Sequence, residues 1–187
     1  TTTASDGSFA MSVQAGAYQL SGGGYGGSAQ PGAALSAYYS LWTQDDALEV
    51  SGALTLDLAL PFKRVTVQVQ DPAGTPVPNV VLTTTGPTIC TLPFGGLTMC
   101  GNSYYPAGWG LPLPTTDASG TATMWLLPTD GANAYVITAT PPGGNSYATT
   151  AFADIAITTD TLLTLKLQTA NVVSGRVLDG LGQGAGG

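Results

Sequence analysis

Apolar and polar residues alternate in several short segments of this sequence, and the alternation restricts the possible folds more than any other feature. It is clearest at residues 65–70, where three valines alternate with Thr and Gln, and it recurs at residues 54–58 and 163–167. Residues 9–13 and 135–138 show it less regularly. Since a period of two places apolar side chains on one face of a strand, the pattern predicts half-buried strands of antiparallel sheets.

Helical periodicity is not convincing in this sequence, and residues 33–42 are the one short stretch with helical potential. Turn signals such as Asp-Gly and Pro-Gly separate the alternating segments at the spacing of a β-sandwich. The predicted fold class is therefore all-β, with immunoglobulin-like sandwiches.

An internal repeat organises the chain. Its paired segments are residues 3–11 with 116–124, 54–58 with 163–167, and 65–74 with 173–182. The unit is about 110 residues long, the size of one immunoglobulin-like sandwich.

The repeat divides the chain into three parts. Residues 1–61 are predicted to be the back part of unit A, and residues 62–170 a complete unit B. An insertion at residues 85–114 of unit B carries both cysteines, and residues 171–187 would be the opening strand of a unit C. Unit A alone is a partial sandwich, which leaves an open edge and apolar surface. We therefore expect another segment to cover unit A.

Two motifs connect these units to a family. Residues 172–184 read V-V-S-G-R-V-L-D-G-L-G-Q-G, which is a V-x-G-x-V strand followed by D-x-x-G. Residues 3–9 carry an Asp-Gly turn before Phe, and residues 15–20 read A-G-A-Y-Q-L. Both motifs resemble carboxypeptidase-regulatory-like domains, the transthyretin-like or Cna-B-like β-sandwich modules. The resemblance implies tandem transthyretin-like sandwiches that act as non-catalytic spacers, adhesin stalks or appended binding domains of secreted bacterial proteins.

The two cysteines are close in sequence. Pro93, Gly95 and Gly96 lie between Cys90 and Cys100 and favour a hairpin. A disulfide between them is predicted, with two buried free thiols as the alternative. Closing this loop would stabilise the fold by about 3 kcal/mol and implies an oxidising compartment, at the cell surface or outside the cell.

Composition excludes several function classes. The chain has no histidine, which removes the commonest general base and metal ligand. Its net charge of −7 disfavours nucleic-acid binding, and no apolar run reaches the roughly 20 residues of a membrane span. The acidic cluster of Asp45, Asp46 and Glu49 is interpreted as a solvated turn, with calcium binding or catalysis as lesser alternatives. We expect no enzymatic activity, no cofactor, no bound metal and no membrane insertion.

The resemblance also implies a possible cross-link, because some Cna-B-like modules join Lys to Asn through an amide beside an acidic residue. Lys63, Asn171 and Asp154 would be the candidates here. The attacking lysine must be neutral and desolvated, but Lys63 is next to Arg64 at a unit junction. Solvated surface charges are the favoured interpretation.

Aromatic residues form two groups outside the alternating segments. They are Tyr38, Tyr39 and Trp42 in the first group and Tyr104, Tyr105 and Trp109 in the second. Such rings either cap a core or a subunit interface, which we favour, or stack on sugars.

The function predicted from the sequence is structural. We expect a non-enzymatic extracellular β-sandwich repeat of a surface stalk or fibre, whose partners are copies of itself or adjacent repeats of the same polypeptide. Val173, Gly175 and Val177 repeat the inward face of the 65–70 strand and are candidates for a strand donated to a neighbouring unit A. The alternative is a module that binds polysaccharide or acts as an adhesin.

Overall fold

A computed structural model of the chain describes residues 1–25, 36–44, 48–144, 146–171 and 173–185. These residues form fourteen β-strands and no helix, which confirms the predicted all-β class. The strands are β1 (Gly16–Tyr18), β2 (Ser21–Tyr25), β3 (Tyr38–Thr43), β4 (Leu48–Val50), β5 (Lys63–Gln70), β6 (Val81–Thr85), β7 (Ile89–Phe94), β8 (Leu97–Tyr104), β9 (Thr121–Leu126), β10 (Tyr135–Thr140), β11 (Tyr147–Ala148), β12 (Thr150–Ile155), β13 (Thr161–Lys166) and β14 (Gln168–Thr169).

Two three-stranded sheets enclose the larger core. One has the order β13-β5-β9 and the other β12-β10-β6, with β13 parallel to β5 and the remaining pairs antiparallel. The half-buried strand predicted at residues 65–70 is confirmed, because Val65, Val67 and Val69 are completely buried between the sheets. Burying each such side chain contributes about 1.5–3 kcal/mol. Two sheets around one core are the arrangement of a β-sandwich.

A third sheet joins two distant parts of the chain. Its order is β2-β3-β8-β7, so strands of the first 61 residues pair with strands of the predicted insertion at 85–114. The sheet buries a second apolar cluster, which includes Leu41, Leu92 and Met99. The boundary predicted at residue 61 therefore separates strands that belong to one sheet.

A buried polar network connects this sheet to the sandwich. The hydroxyl groups of Ser103 on β8 and Tyr135 on β10 lie 2.9 Å apart. Tyr135 donates a hydrogen bond to the carbonyl of Leu127, and the Leu127 amide donates to the Ser103 hydroxyl. These contacts satisfy buried backbone groups that would otherwise destabilise the junction.

The local structure differs from the sequence prediction at three places. Residues 38–42 form most of strand β3 and not a helical turn, while residues 33–35 lie outside the described part. Residues 9–13 and 54–58 alternate in polarity but belong to none of the fourteen strands. Alternation favours an extended chain, but a strand also needs a hydrogen-bonding neighbour.

Candidate functional site

One face of the four-stranded sheet carries aromatic side chains, and we call it the aromatic face. The register places Tyr38 of β3 directly between Tyr25 of β2 and Tyr104 of β8. Residues that are paired across antiparallel strands point to the same side of a sheet. The three tyrosines therefore form a row across the strands.

Trp109 adds a fourth ring to this row. It lies in the loop after β8, between Gly108 and Gly110, which both have positive φ angles and turn the chain back. The Trp109 ring is stacked on Tyr25, with centroids 5.8 Å apart and planes 14° apart, and meets Tyr38 edge-on at 5.7 Å. Tyr25 and Trp109 are 49% and 47% exposed. About half of each ring surface is thus open to solvent.

Tyr38 and Tyr104 are the inner members of the row. Their ring centroids are 4.7 Å apart. Burial, followed by the charge and hydrogen bond of the Tyr38 hydroxyl, raises the pKa of Tyr104 above its ordinary value. The Tyr104 hydroxyl therefore stays neutral at physiological pH and is able to donate and accept hydrogen bonds.

A row of small and polar residues follows the aromatic row. Ser40 of β3 lies between Gly23 of β2 and Asn102 of β8. Among the described residues, no donor reaches the buried Oδ1 atom of Asn102. A shallow cleft of about 500 Å³ is lined by residues 21–25 and 38–40, which include Gly23 and Ser40 but not Asn102. The aromatic face thus carries exposed rings next to a row of polar side chains.

The six aromatic residues singled out from the sequence do not form one group. Tyr38, Tyr104 and Trp109 come together, whereas Trp42 lies one row beyond Ser40, opposite Cys100. Tyr39 points to the other face, where its ring meets Phe62 at 5.3 Å. Tyr25 was missed, although the Gly-rich run before it is a signal for close packing between strands.

Tyr105 belongs to the sandwich core. It is 6% exposed, and its hydroxyl accepts a hydrogen bond from the Trp125 amide. Burial raises the pKa of Tyr105 to about 12. Tyr105 is therefore a core anchor and not a ligand-binding residue.

The predicted disulfide is confirmed. Cys90 and Cys100 are bonded across the β7–β8 pair. The bond ties the edge strand β7 to β8, which also carries Asn102 and Tyr104. It therefore stabilises one border of the aromatic face.

A turn within residues 177–185 reproduces the turn within residues 69–77. In the earlier turn, backbone hydrogen bonds run from Asp71 to Thr75, from Gly74 to Asp71 and from Val77 to Val69. The later turn repeats all three bonds, from Asp179 to Gln183, from Gly182 to Asp179 and from Ala185 to Val177. In every pair the amide of the first residue donates to the carbonyl of the second. The carboxylates of Asp71 and Asp179 each accept the amide four residues ahead. The two turns are equivalent in local structure.

The strands that lead into these two turns differ in burial. Val65 and Val69 are completely buried, whereas their counterparts Val173 and Val177 are 94% and 74% exposed. Within the described residues, large apolar side chains are exposed mainly outside residues 62–170, at Met11, Val13, Tyr25, Leu54, Val173, Val177, Leu178 and Leu181. The predicted donor residues thus present apolar side chains to solvent.

The remaining candidates do not assemble into a catalytic or metal site in the described part of the chain. No group of three or more Cys, Asp or Glu residues there could hold a metal ion. Asp45 and Asp46 lie outside the described residues. Lys63 is partly buried, whereas Asn171 and Asp154 are exposed. The described residues also contain no helix that is long and apolar enough to cross a membrane.

Comparison with known proteins does not place the chain in a family. No model of a protein family matches it, and a search of curated proteins returns no similar sequence.

Proposed function

We propose that this chain is a non-enzymatic, extracellular structural module made of tandem transthyretin-like sandwich repeats, which assembles head to tail into a stalk or filament. The observation that carries the proposal is the pair of equivalent turns. Val69 is buried before the first turn, and Val177 is exposed before the second. An opening strand with an exposed apolar face gains stability when a neighbouring unit covers it.

The extracellular location is supported by the disulfide. Such bonds persist in oxidising environments and are rare in reducing ones, so Cys90–Cys100 fits a secreted or surface protein. Low charge also suits a structural role, since only 8% of the residues are charged. The partner is a second copy of the chain or an adjacent repeat of the same polypeptide. Because donor and acceptor differ, the contact is heterologous, and copies joined in this way grow into a linear filament when the rotation between them does not close a ring.

The test is assembly of a variant with Val173→Asp and Val177→Asp. We expect wild-type chains to associate as concentration rises and the variant to associate about a hundredfold more weakly, since an unpaired buried carboxylate costs about 3 kcal/mol or more. Sedimentation velocity measures the association, and negative-stain microscopy shows whether the products are linear. Both residues are exposed, so the isolated fold should not change.

A matched control changes the other side of the same segment. Ser174→Asp with Arg176→Gln adds the same net charge and should leave assembly intact. Wild-type protein that stays monomeric at all concentrations would refute the proposal. So would equal loss of assembly in both variants, because the effect would then come from charge alone.

Binding of a neutral polysaccharide is a second candidate function, and the aromatic face favours it. One face of a pyranose ring is made of C–H groups that pack on aromatic rings, and the sugar hydroxyls need polar partners. Tyr25 and Trp109 offer the rings, and Ser40 in the adjacent row offers a polar group. The net charge of −7 favours a neutral glycan over an acidic one.

The binding test uses tryptophan fluorescence with cellohexaose and with an acidic oligogalacturonate. We expect cellohexaose to bind and Trp109→Ala to weaken binding about tenfold, the loss of about 1.4 kcal/mol of stacking and contact area. Leu162→Ala is the control, because Leu162 is also exposed but lies on β13. No binding, or binding that Trp109→Ala leaves unchanged, would exclude this site. If Trp109→Ala abolishes assembly instead, the face is a subunit interface.

A further inference from the structure

We propose that residues 9–13 and 54–58 form the two sides of an acceptor cleft, and that residues 173–177 of a second copy pair between them as a central strand. This inference rests on the proposed head-to-tail assembly and names its binding site. It assigns a partner to each of the three alternating segments that belong to no strand.

Each of the three segments has a counterpart in unit B. The internal repeat relates residues 9–13 to β9 and residues 54–58 to β13, and it relates residues 173–177 to β5. In the complete sandwich, β5 lies between β13 and β9. The segment 173–177 therefore corresponds to the strand that belongs between the other two.

The β1–β4 pair brings the two sides of the cleft to one place. Gly16 of β1 is paired with Val50 of β4, and the strands are antiparallel. Residues before Gly16 and residues after Val50 therefore leave the same end of the pair. In unit B, β9 precedes β10 and β13 follows β12, and β10 pairs with β12 in the same antiparallel way. The two segments thus leave the β1–β4 pair at one end, as the chain segments that lead to β9 and β13 leave the β10–β12 pair.

The burial of side chains fits a cleft that holds no central strand among the described residues. Met124 of β9 is completely buried, but its counterpart Met11 is 53% exposed. Leu54 is 51% exposed, whereas its counterpart Leu163 on β13 is partly buried against the larger core. A strand inserted at this position would cover both sides at once and would supply their backbone partners.

The antiparallel register follows from the sandwich. Val65 is paired with Met124 and Val67 with Ala122. The repeat then pairs Val173 with Met11 and Gly175 with Phe9. The Val–Ala pair of unit B becomes a Gly–Phe pair, so the residue without a side chain meets the larger one. Such an exchange keeps the volume at this position nearly constant, as packed sheets require.

The parallel side gives a second set of contacts. In unit B, Leu163 is paired with Val67 and Leu165 with Val69. The repeat accordingly pairs Leu54 with Gly175 and Leu56 with Val177. All members of both predicted sets are apolar or glycine, so insertion buries no unpaired charge.

Engineered cysteines test the register directly. Chains with Met11→Cys and Val173→Cys should form an intermolecular disulfide ladder under oxidation, as seen by non-reducing electrophoresis. The matched control is Met11→Cys with Val177→Cys, which shifts one thiol by four residues, about 13 Å along the strand. It carries the same number of thiols and should not form the ladder. The native cysteines do not interfere, because they are bonded to each other.

A peptide provides a measurement that does not depend on new disulfides. A fluorescent peptide with the sequence of residues 171–187 should bind the wild-type chain in an anisotropy titration. We expect Met11→Asp to weaken this binding at least tenfold. Leu162→Asp, an exposed residue outside the cleft, should leave it unchanged.

The outcomes separate this inference from the proposed function. If wild-type chains assemble but neither the ladder nor peptide binding is seen, the cleft is wrong while head-to-tail assembly stands. A cross-linked monomer in place of a ladder would also overturn the inference, since the strand would then come from the same chain. If wild-type chains do not assemble and the peptide does not bind, both proposals fail.

Discussion

Two buried tyrosine hydroxyls anchor the insertion to the sandwich at the scale of single residues. Tyr135 donates to the Leu127 carbonyl, so in its contact with Ser103 the serine is the donor. Tyr105 accepts the Trp125 amide of β9 from a position just after β8. Burial raises the pKa of both hydroxyls to about 12, although their hydrogen bonds lower it in part. Both are neutral anchors at physiological pH.

The raised pKa values predict a loss of stability at alkaline pH. A tyrosine in the unfolded chain ionises near pH 10, whereas in the folded chain these two keep their protons to about pH 12. The folded state therefore binds the proton more tightly. This contribution is complete below pH 10 and is lost as the pH rises from 10 to 12. Each group accounts for about 3 kcal/mol of the decline.

Urea unfolding at several pH values from 9 to 12 measures this decline. Tyr135→Phe and Tyr105→Phe lower stability at neutral pH by removing hydrogen bonds, about 1 kcal/mol each. Each substitution should also reduce the loss of unfolding free energy between pH 10 and 12 by the contribution of the tyrosine that it removes. If the double variant loses stability with pH as steeply as the wild type does, other groups are responsible.

Several elements follow from the sequence because their signal is local. The alternation at residues 65–70 and 163–167 predicts β5 and β13, and the Gly and Pro residues between Cys90 and Cys100 predict the β7–β8 hairpin and its disulfide. These features depend on neighbouring residues alone. Residues 9–13 and 54–58 carry a comparable signal but form no strand in the described chain. Their alternation identifies a strand-forming segment without giving its partner.

The pairing between distant elements is the part that the sequence could not supply. Nothing in the local pattern of β3 shows that its neighbours are β2 and β8, and residues 33–42 were the one short stretch with helical potential. The aromatic face depends on this pairing, because Tyr25, Tyr38 and Tyr104 come from three strands. Tyr25 was missed for that reason. Tyr39 and Tyr105 were grouped with the other aromatic residues because the face that a side chain occupies depends on the strand register, which the sequence did not give.

At the scale of the whole molecule, charge and apolar surface have opposing effects on assembly. Each chain carries a net charge of −7, so copies repel one another over a Debye length. The segments that form the proposed contact, in contrast, carry few charges. Residues 173–177 contain one charged side chain, Arg176, residues 54–58 contain only Asp57, and residues 9–13 contain none. Attraction is therefore expected to come from apolar burial, and long-range electrostatics should oppose it.

Salt should consequently strengthen assembly. Raising NaCl from about 10 mM to about 150 mM shortens the Debye length from about 30 Å to about 8 Å, which screens the repulsion between chains and leaves the apolar contact unaffected. We expect the weight-average sedimentation coefficient at fixed protein concentration to increase over this range. The Val173→Asp, Val177→Asp variant should show almost no increase, because it lacks the apolar contact that drives association once the repulsion is screened. Dissociation of wild-type assemblies by salt would instead mean that ion pairs hold the copies together, and the strand-based contact would have to be abandoned.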